Sequence, residues 1–231
     1  MGQEENFCLV HCKVFSNRLY YKISATKKGI QTMYLKELNV KEFTIIYQTY
    51  MKDDFPSDEL KPLERMIYTM ETGLSSAFGL YENNDLRAYA VFIIPEGQPY
   101  GLLDYLAVVK QYRGTGVGHQ FFDLIENTLK QKYSWLEGFF IESENIDFAK
   151  TEQERKIRER RIAFYENNNC QIVKLGSCLF GVTYRILLYQ FTQSADNEKE
   201  KEALFEALDN IYVSMFKKHH YEKEVRLWVV D

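Results

Sequence analysis

The stretch KQYRGTGVGHQFF, from Lys110 to Phe122, decides how the rest of the chain is read. Gly114, Gly116 and Gly118 crowd together, and an apolar pattern at helical spacing starts at once with Val117, Phe121, Leu124 and Leu129. That spacing predicts a helix of about four turns opening near Gly116. Immediately before it stands YGLLDYLAVV, residues 100–109, an apolar run that reads as a strand. Strand, glycines and helix start in direct succession make a cradle for an anion. The first N–H groups of a helix have no intrahelical partner and carry partial positive charge. Glycines remove the Cβ atoms that would hold an anion away. A pyrophosphate can sit on residues 114–119. The stretch is no P-loop, because no Lys-Ser/Thr pair closes it. It also differs from the dinucleotide fingerprint, having G-x-G-x-G where G-x-G-x-x-G is needed. A plain glycine-rich turn is the bland alternative.

Working outward, TMYLKEL from Thr32 predicts a strand and NVKEFTIIYQTYMKDD a helix capped by Asn39. FPSDELKPLERMIYTMETG predicts a second helix, capped at Ser57 or Asp58 and ended by Gly73. SSAFGLYE and LRAYAVFII are strands; Asn83-Asn84-Asp85 turns the first, and Pro95 with EGQP the second. Such short turns imply antiparallel neighbours. Past the glycines come a strand in WLEGFFIES, a charged helix in TEQERKIRERRIAFYENN, and strands near CQIVKL and GVTYRILLYQF.

After Phe191 the character changes. SADNEKEKEALFEALDNIYVSMFKKHH predicts one helix, acidic at its start and basic at its end, as the helix dipole favours. Leu204, Leu208, Ile211 and Met215 form its apolar stripe. The stripe either docks on the chain's own domain or forms a homodimer. The expected organisation is a strand-like extension over 1–30, a domain over 31–192, and a C-terminal helix and tail over 193–231. The last is expected to be separable from ligand binding.

The chain has 231 residues, 45% hydrophobic, enough for a substantial core. Its formal net charge of −4 argues against a nucleic-acid partner. No apolar run approaches a membrane span, and MGQEENFCLV lacks the pattern of a signal peptide or a myristoylation site. The expectation is a cytoplasmic protein with reduced thiols and no membrane partner. Cys8, His11 and Cys12 lie in a strand-like run without a second ligand pair at zinc spacing, so no metal is expected.

LAVVKQYRGTGVG resembles the signature of the GCN5-related N-acetyltransferase (GNAT) superfamily, Q/R-x-x-G-x-G/A between a strand and a helix. Arg113, Gly116 and Gly118 stand at the signature positions. RRIAFYENNNC is similar to the family's later tyrosine motif, with Tyr165 at the tyrosine. The element order over about residues 31–192 fits as well. The resemblance implies an α/β fold: a mixed, mostly antiparallel sheet flanked by helices, splayed between its fourth and fifth strands, here with an added C-terminal helix. It implies an N-acetyltransferase that moves an acetyl group from acetyl-CoA to a primary amine of a small molecule or protein. The alternative is a non-catalytic acyl-CoA-binding sensor of the same fold.

By that resemblance the pantetheine arm bonds to the strand backbone at Leu106, Ala107 and Val108. The pyrophosphate maps to Gly114, Thr115, Gly116, Val117, Gly118 and His119, with Arg113 before them. Tyr165 takes the place of the acid that protonates the departing thiolate. A phenol near pKa ~10 is not far from a thiol near ~8.5. Glu142, in FFIES, matches the base some relatives use, working through water; Asp104 is the competing acid. Two departures stand out. Arg158 occupies the place, seven residues before the tyrosine, where many relatives carry an Asn. The usual Asn-Gly-Phe is Asn168-Asn169-Cys170, where Asn169 can take the left-handed conformation and Cys170 fills core. The basic residues from Arg155 to Arg161 reach a phosphate or an acidic substrate, or form a solvated face. Asp53, Asp54, Asp58 and Glu59 can attract a cationic amine, or serve capping and solubility.

Overall fold

The structure is a computed structural model. It describes residues 33–57, 59–192 and 199–230, together with the backbone of short strands at 13–15, 18–21, 25–26 and 29–30. Cys8, His11, Cys12 and Asp58 lie outside the described residues. In chain order the elements are β1 (Lys13–Phe15), β2 (Arg18–Tyr21), β3 (Ala25–Thr26), β4 (Gly29–Ile30), β5 (Met33–Glu37), α1 (Val40–Ile46), a π-helical turn (Tyr47–Met51), α2 (Lys52–Asp54), α3 (Leu63–Glu71), β6 (Ser75–Glu82), β7 (Asp85–Ile93) and β8 (Tyr100–Val108). There follow α4 (Val117–Lys132), β9 (Gly138–Glu144), α5 (Glu152–Glu166), β10 (Gln171–Leu179), β11 (Val182–Gln190), α6 (Lys199–Met215), α7 (Lys218–Glu224) and β12 (Val225–Val229).

The chain forms two compact units, residues 1–60, 77–90 and 106–128 in one, and 61–76, 91–105 and 129–231 in the other. In the first, β1, β2, β5 and β6 pair successively in antiparallel ladders. Asn83 and Asn84 turn the chain from β6 into β7 with φ of 51° and 69°, conformations that Asn tolerates better than most residues. Asn39 caps α1 in a capping box with Glu42, as the sequence predicts. The core of this unit gathers Leu35, Phe43, Met51, Phe78, Leu80, Tyr89, Phe121 and Ile125.

In the second unit β8 and β9 run parallel, while β9–β11, β10–β11 and β10–β12 are antiparallel. The parallel ladder joins Tyr100–Leu103 to Gly138–Ile141 and stops, although both strands continue, β8 to Val108 and β9 to Glu144. β9 meanwhile stays paired with β11 as far as Glu144. The expected opening of the fourth from the fifth strand is therefore present. α3 opens later than expected: Pro62 stands at its N-cap position, and Ser57 lies in the turn before it. Pro62 offers no side-chain acceptor, and its carbonyl takes the first backbone bonds of the helix, from Arg65 and Met66 at 3.1 and 3.2 Å. Gly73, φ 77°, closes that helix.

The C-terminal segment departs most from expectation. α6 ends at Met215, and Lys218, His219 and His220 open a second helix instead of closing the first. Val225–Val229 then adds an edge strand to β10. Gly176 lets this strand in: a Cβ there would lie 2.6 Å from the Trp228 indole. Leu204, Leu208, Ile211 and Met215 are buried against Ile93, Leu102, Phe140, Ile186 and Leu188. The stripe thus docks within its own unit.

Candidate active site

The glycine loop belongs to the first unit. Gly114 and Gly116 have φ of 75° and 85°, in the left-handed region. A Cβ at either would meet nothing within 4 Å, so backbone conformation demands glycine and the space over the loop is open. Gly118 lies inside α4, which opens at Val117, so the Val117 and Gly118 amides fall in its first turn, where N–H groups have no i−4 partner. Thr115 Oγ1 donates to the Tyr112 carbonyl at 2.7 Å, and the amides of His119 and Gln120 donate to the Gly116 carbonyl at 3.1 and 3.2 Å.

Arg113 fastens this loop. Its Nε donates to the Val108 carbonyl at 2.9 Å, and its guanidinium pairs with Asp54 at 2.5 Å. Asp54 also accepts from the Tyr89 hydroxyl at 2.7 Å, so it is committed to the scaffold. Burial and the Asp54 carboxylate push the Tyr89 phenol well up. Leu106, Ala107 and Val108 are half-buried at the end of β8.

The acids belong to the second unit. Asp104 and Glu142 are the first residues of β8 and β9 beyond the last ladder pair, Leu103 with Ile141. Strand register therefore brings them to the same level, and Glu142 feels the charge of Asp104. Lys61 Nζ donates to both oxygens of Asp104, at 2.6 and 2.7 Å, and this carboxylate is 9% exposed. Beside the pair is a cavity of about 20 Å³, lined among others by Lys61, Arg65, Thr69, Val91, Asp104 and Met215. It has room for about one water.

Glu142 accepts from Tyr212 Oη at 2.6 Å and from Ser177 Oγ at 3.4 Å, both on Oε1. Both donors are fully buried. Burial pushes the Glu142 carboxyl up to about 7; the Asp104 charge adds to the rise, and Tyr212, Lys61 and Ser177 oppose it. Tyr212 had no sequence signal beyond its place between Ile211 and Met215 in an apolar helix.

Tyr165 is buried near the end of α5, and burial pushes its phenol to about 12. Asn169, φ 62°, ends the helix as expected. Cys170 is buried, with its thiol pushed to about 12, and so fills core as expected. Arg158 pairs with Glu144 at 2.8 Å and donates to the Asn145 carbonyl; Arg161 pairs with Glu144 at 2.9 Å. Arg155 and Lys156 pair along the helix with Glu159 and Glu152. Arg158 and Arg161 thus tie α5 to the end of β9, while Arg155 and Lys156 pair within the helix. Among the described residues no group of three His, Cys, Asp or Glu side chains is placed to hold a metal, and no helix is long and apolar enough to cross a membrane.

No curated protein matches the sequence. Among solved structures, the ribosomal-protein-S18-alanine N-acetyltransferase from Escherichia coli matches over 71% of this chain and 97% of its own, at 14% identity and TM-score 0.51. An aminoglycoside 6'-N-acetyltransferase complexed with coenzyme A matches over 70% of this chain and 99% of its own, at 13% identity and TM-score 0.50. At such identities the likeness is one of fold. The family model for the acetyltransferase (GNAT) family matches residues 34–150, which carry the glycine loop, Asp104 and Glu142. The chain belongs to the GNAT acetyltransferase family.

Proposed function

We propose that the protein transfers an acetyl group from acetyl-CoA to a primary amine by direct attack of the amine on the thioester carbon. The observation that carries this reading is the loop at the start of α4, with left-handed Gly114 and Gly116 and no atom within 4 Å of where their Cβ atoms would stand. Residues 114–119 hold the pyrophosphate through backbone N–H groups. Leu106, Ala107 and Val108 offer strand backbone to the pantetheine arm, and Arg113 keeps loop and strand end in register.

The chemistry needs a proton taken from the alkylammonium and a partner for the departing sulfur. A carboxyl group near 7 is a far better base at neutral pH than an ordinary one near ~4.3. Glu142 therefore takes the amine's proton, through a water. Asp104, with both oxygens accepting from Lys61, stands beside Glu142 as half of an ion pair. The amine nitrogen bonds to the thioester carbon, the C–S bond breaks and the sulfur leaves with the bonding pair as a thiolate. The second proton that the nitrogen sheds on becoming an amide passes through solvent to that sulfur, so that CoA departs as the thiol. Tyr165, neutral at every working pH, donates a hydrogen bond to that thiolate. With its phenol near 12 against a thiol near ~8.5, it shares its proton rather than giving it up.

Calorimetry with acetyl-CoA tests the loop. The parent should bind; Gly116→Asp should bind about 100-fold more weakly or worse, since a charge about 4 Å from a phosphate costs several kcal/mol. Gly116→Asn, which tolerates the left-handed backbone without the charge, should fall between them. Equal affinity in a folded Gly116→Asp variant overturns the assignment. Turnover is then assayed against polyamines, aminoglycosides, amino acids and peptides. Binding without turnover on any class would favour the sensor reading.

A further inference from the structure

We infer that Tyr212, on the helix α6 beyond the family-matched span, is a positioning residue that holds the Glu142 carboxylate in the orientation in which it accepts the amine's proton. The inference rests on Glu142 being the base. Its ground is a short contact between two parts of the chain that the family match does not join. Tyr212 Oη donates to Glu142 Oε1 at 2.6 Å, the length of a hydrogen bond to a charged acceptor. Ser177 Oγ, from β10, reaches the same oxygen at 3.4 Å. Both bonds land on Oε1, so Oε2 is the oxygen left for a proton.

The donor is fixed as firmly as any side chain in the unit. Tyr212 is 0% exposed, and Leu208 and Ile211 beside it on α6 are 0% exposed as well. At the end of the same helix, Arg65 donates to the Met215 carbonyl, and Met215 lines the cavity beside Asp104. A tyrosine needed only for packing has no use for its hydroxyl; phenylalanine would fill the space without burying a polar group. Here the hydroxyl is spent on a carboxylate that burial would otherwise drive toward its neutral form.

The charged and titratable groups facing Glu142 can be named by element. Tyr212 comes from α6, Asp104 from β8 and Lys61 from the segment before α3; Tyr184 on β11 acts on Tyr212. Asp104 favours protonation of Glu142, while Lys61, Tyr212 and Ser177 favour the carboxylate. Losing the Tyr212 hydroxyl therefore raises the pH at which Glu142 ionises.

The test is ¹³C-NMR titration of the Glu142 carboxyl in the full chain, for the parent, Tyr212→Phe and Ser177→Ala. The pH profile of kcat/KM is measured on the best acceptor from the amine panel. In Tyr212→Phe the Glu142 midpoint and the acid limb of the profile should rise together by about one unit. Activity at about pH 6 would then fall about tenfold and recover toward the parent at high pH. Ser177→Ala should move both in the same direction by less, which keeps the test decisive if Tyr212→Phe folds poorly. Glu142→Gln should abolish the limb, and adding Tyr212→Phe to it should change the rate no further. An unmoved midpoint, or an equal loss at every pH, overturns the positioning role. A moved midpoint with full activity in Glu142→Gln instead removes Glu142 as the base, and the inference with it.

Discussion

The glycine loop and the Glu142 cluster are built in opposite ways. The loop is mostly local: residues 108–120 and their own backbone shape it, with Arg113–Asp54 and the contacts of Arg87 to Val109 and Tyr112 as distant ties. Its chemistry is carried by N–H groups that any sequence possesses, once glycine permits the turn. The acid cluster is assembled from afar. Lys61, Asp104, Glu142, Ser177 and Tyr212 come from separate parts of the chain and meet through strand register and helix docking. Binding a polyanion needs a surface shape, whereas retuning a carboxyl group needs water kept from most of its surface. The second task cannot be done by one short segment.

The contrast can be tested from its largest consequence downward. A chain ending at Gln193 removes α6, α7 and β12. It strips Leu204, Leu208, Ile211, Tyr212 and Met215 from the core of the second unit. Each fully buried apolar side chain is worth about 1.5–3 kcal/mol, so the loss rivals the ~5–15 kcal/mol by which domains are stable. The separability from ligand binding expected from the sequence therefore applies only to a truncated chain that stays folded, and this packing argues that it does not. The truncated chain should lose its cooperative thermal transition, seen by circular dichroism. A cooperative transition near the parent's would show that the helix is an addition after all.

Tyr165→Phe comes next. A hydrogen bond to a charged group, left unmade, costs about 1.5–3 kcal/mol, so kcat should fall roughly 10- to 100-fold with acetyl-CoA affinity unchanged. With its phenol near 12, Tyr165 should put no alkaline limb below that pH on the profile. A larger loss, with an alkaline limb that vanishes in the variant, would make Tyr165 a full proton donor. A loss within twofold would remove it from the chemistry.

A third effect, of similar size, is on stability. Glu142 ionises near 7 in the folded chain against an ordinary 4.5. Between those values the folded chain keeps a proton that the unfolded chain has released. This contribution is intact below about 4.5 and falls away as pH rises to about 7, by on the order of 3 kcal/mol. Glu142→Gln has nothing to titrate. Its stability relative to the parent should therefore increase between pH 5 and pH 8 in urea denaturation. A difference that stays constant across this window would mean that Glu142 is not buried as a charge.

By itself, the sequence determined the main order of strands and helices from β5 through β11, the Asn39 cap, the Asn83-Asn84 turn and the glycine loop. These are set by residues within a few positions of one another, where periodicity, capping and left-handed conformations leave little choice. It also pointed to Tyr165, Glu142 and Asp104, through the resemblance. Only the tertiary structure decided what those acids experience. Glu142 is raised because Ile141 ends the ladder with β8 while α6 and β10 close over it. Asp104 is tied to Lys61, 43 residues away in sequence. β12 was unreadable because VRLWV is short and follows a charged run, and becomes a strand only where β10 offers a free edge and Gly176 makes room for Trp228. Local geometry is written in neighbouring residues; burial and charge coupling depend on the whole fold, since each is the sum of what every distant segment brings to one point.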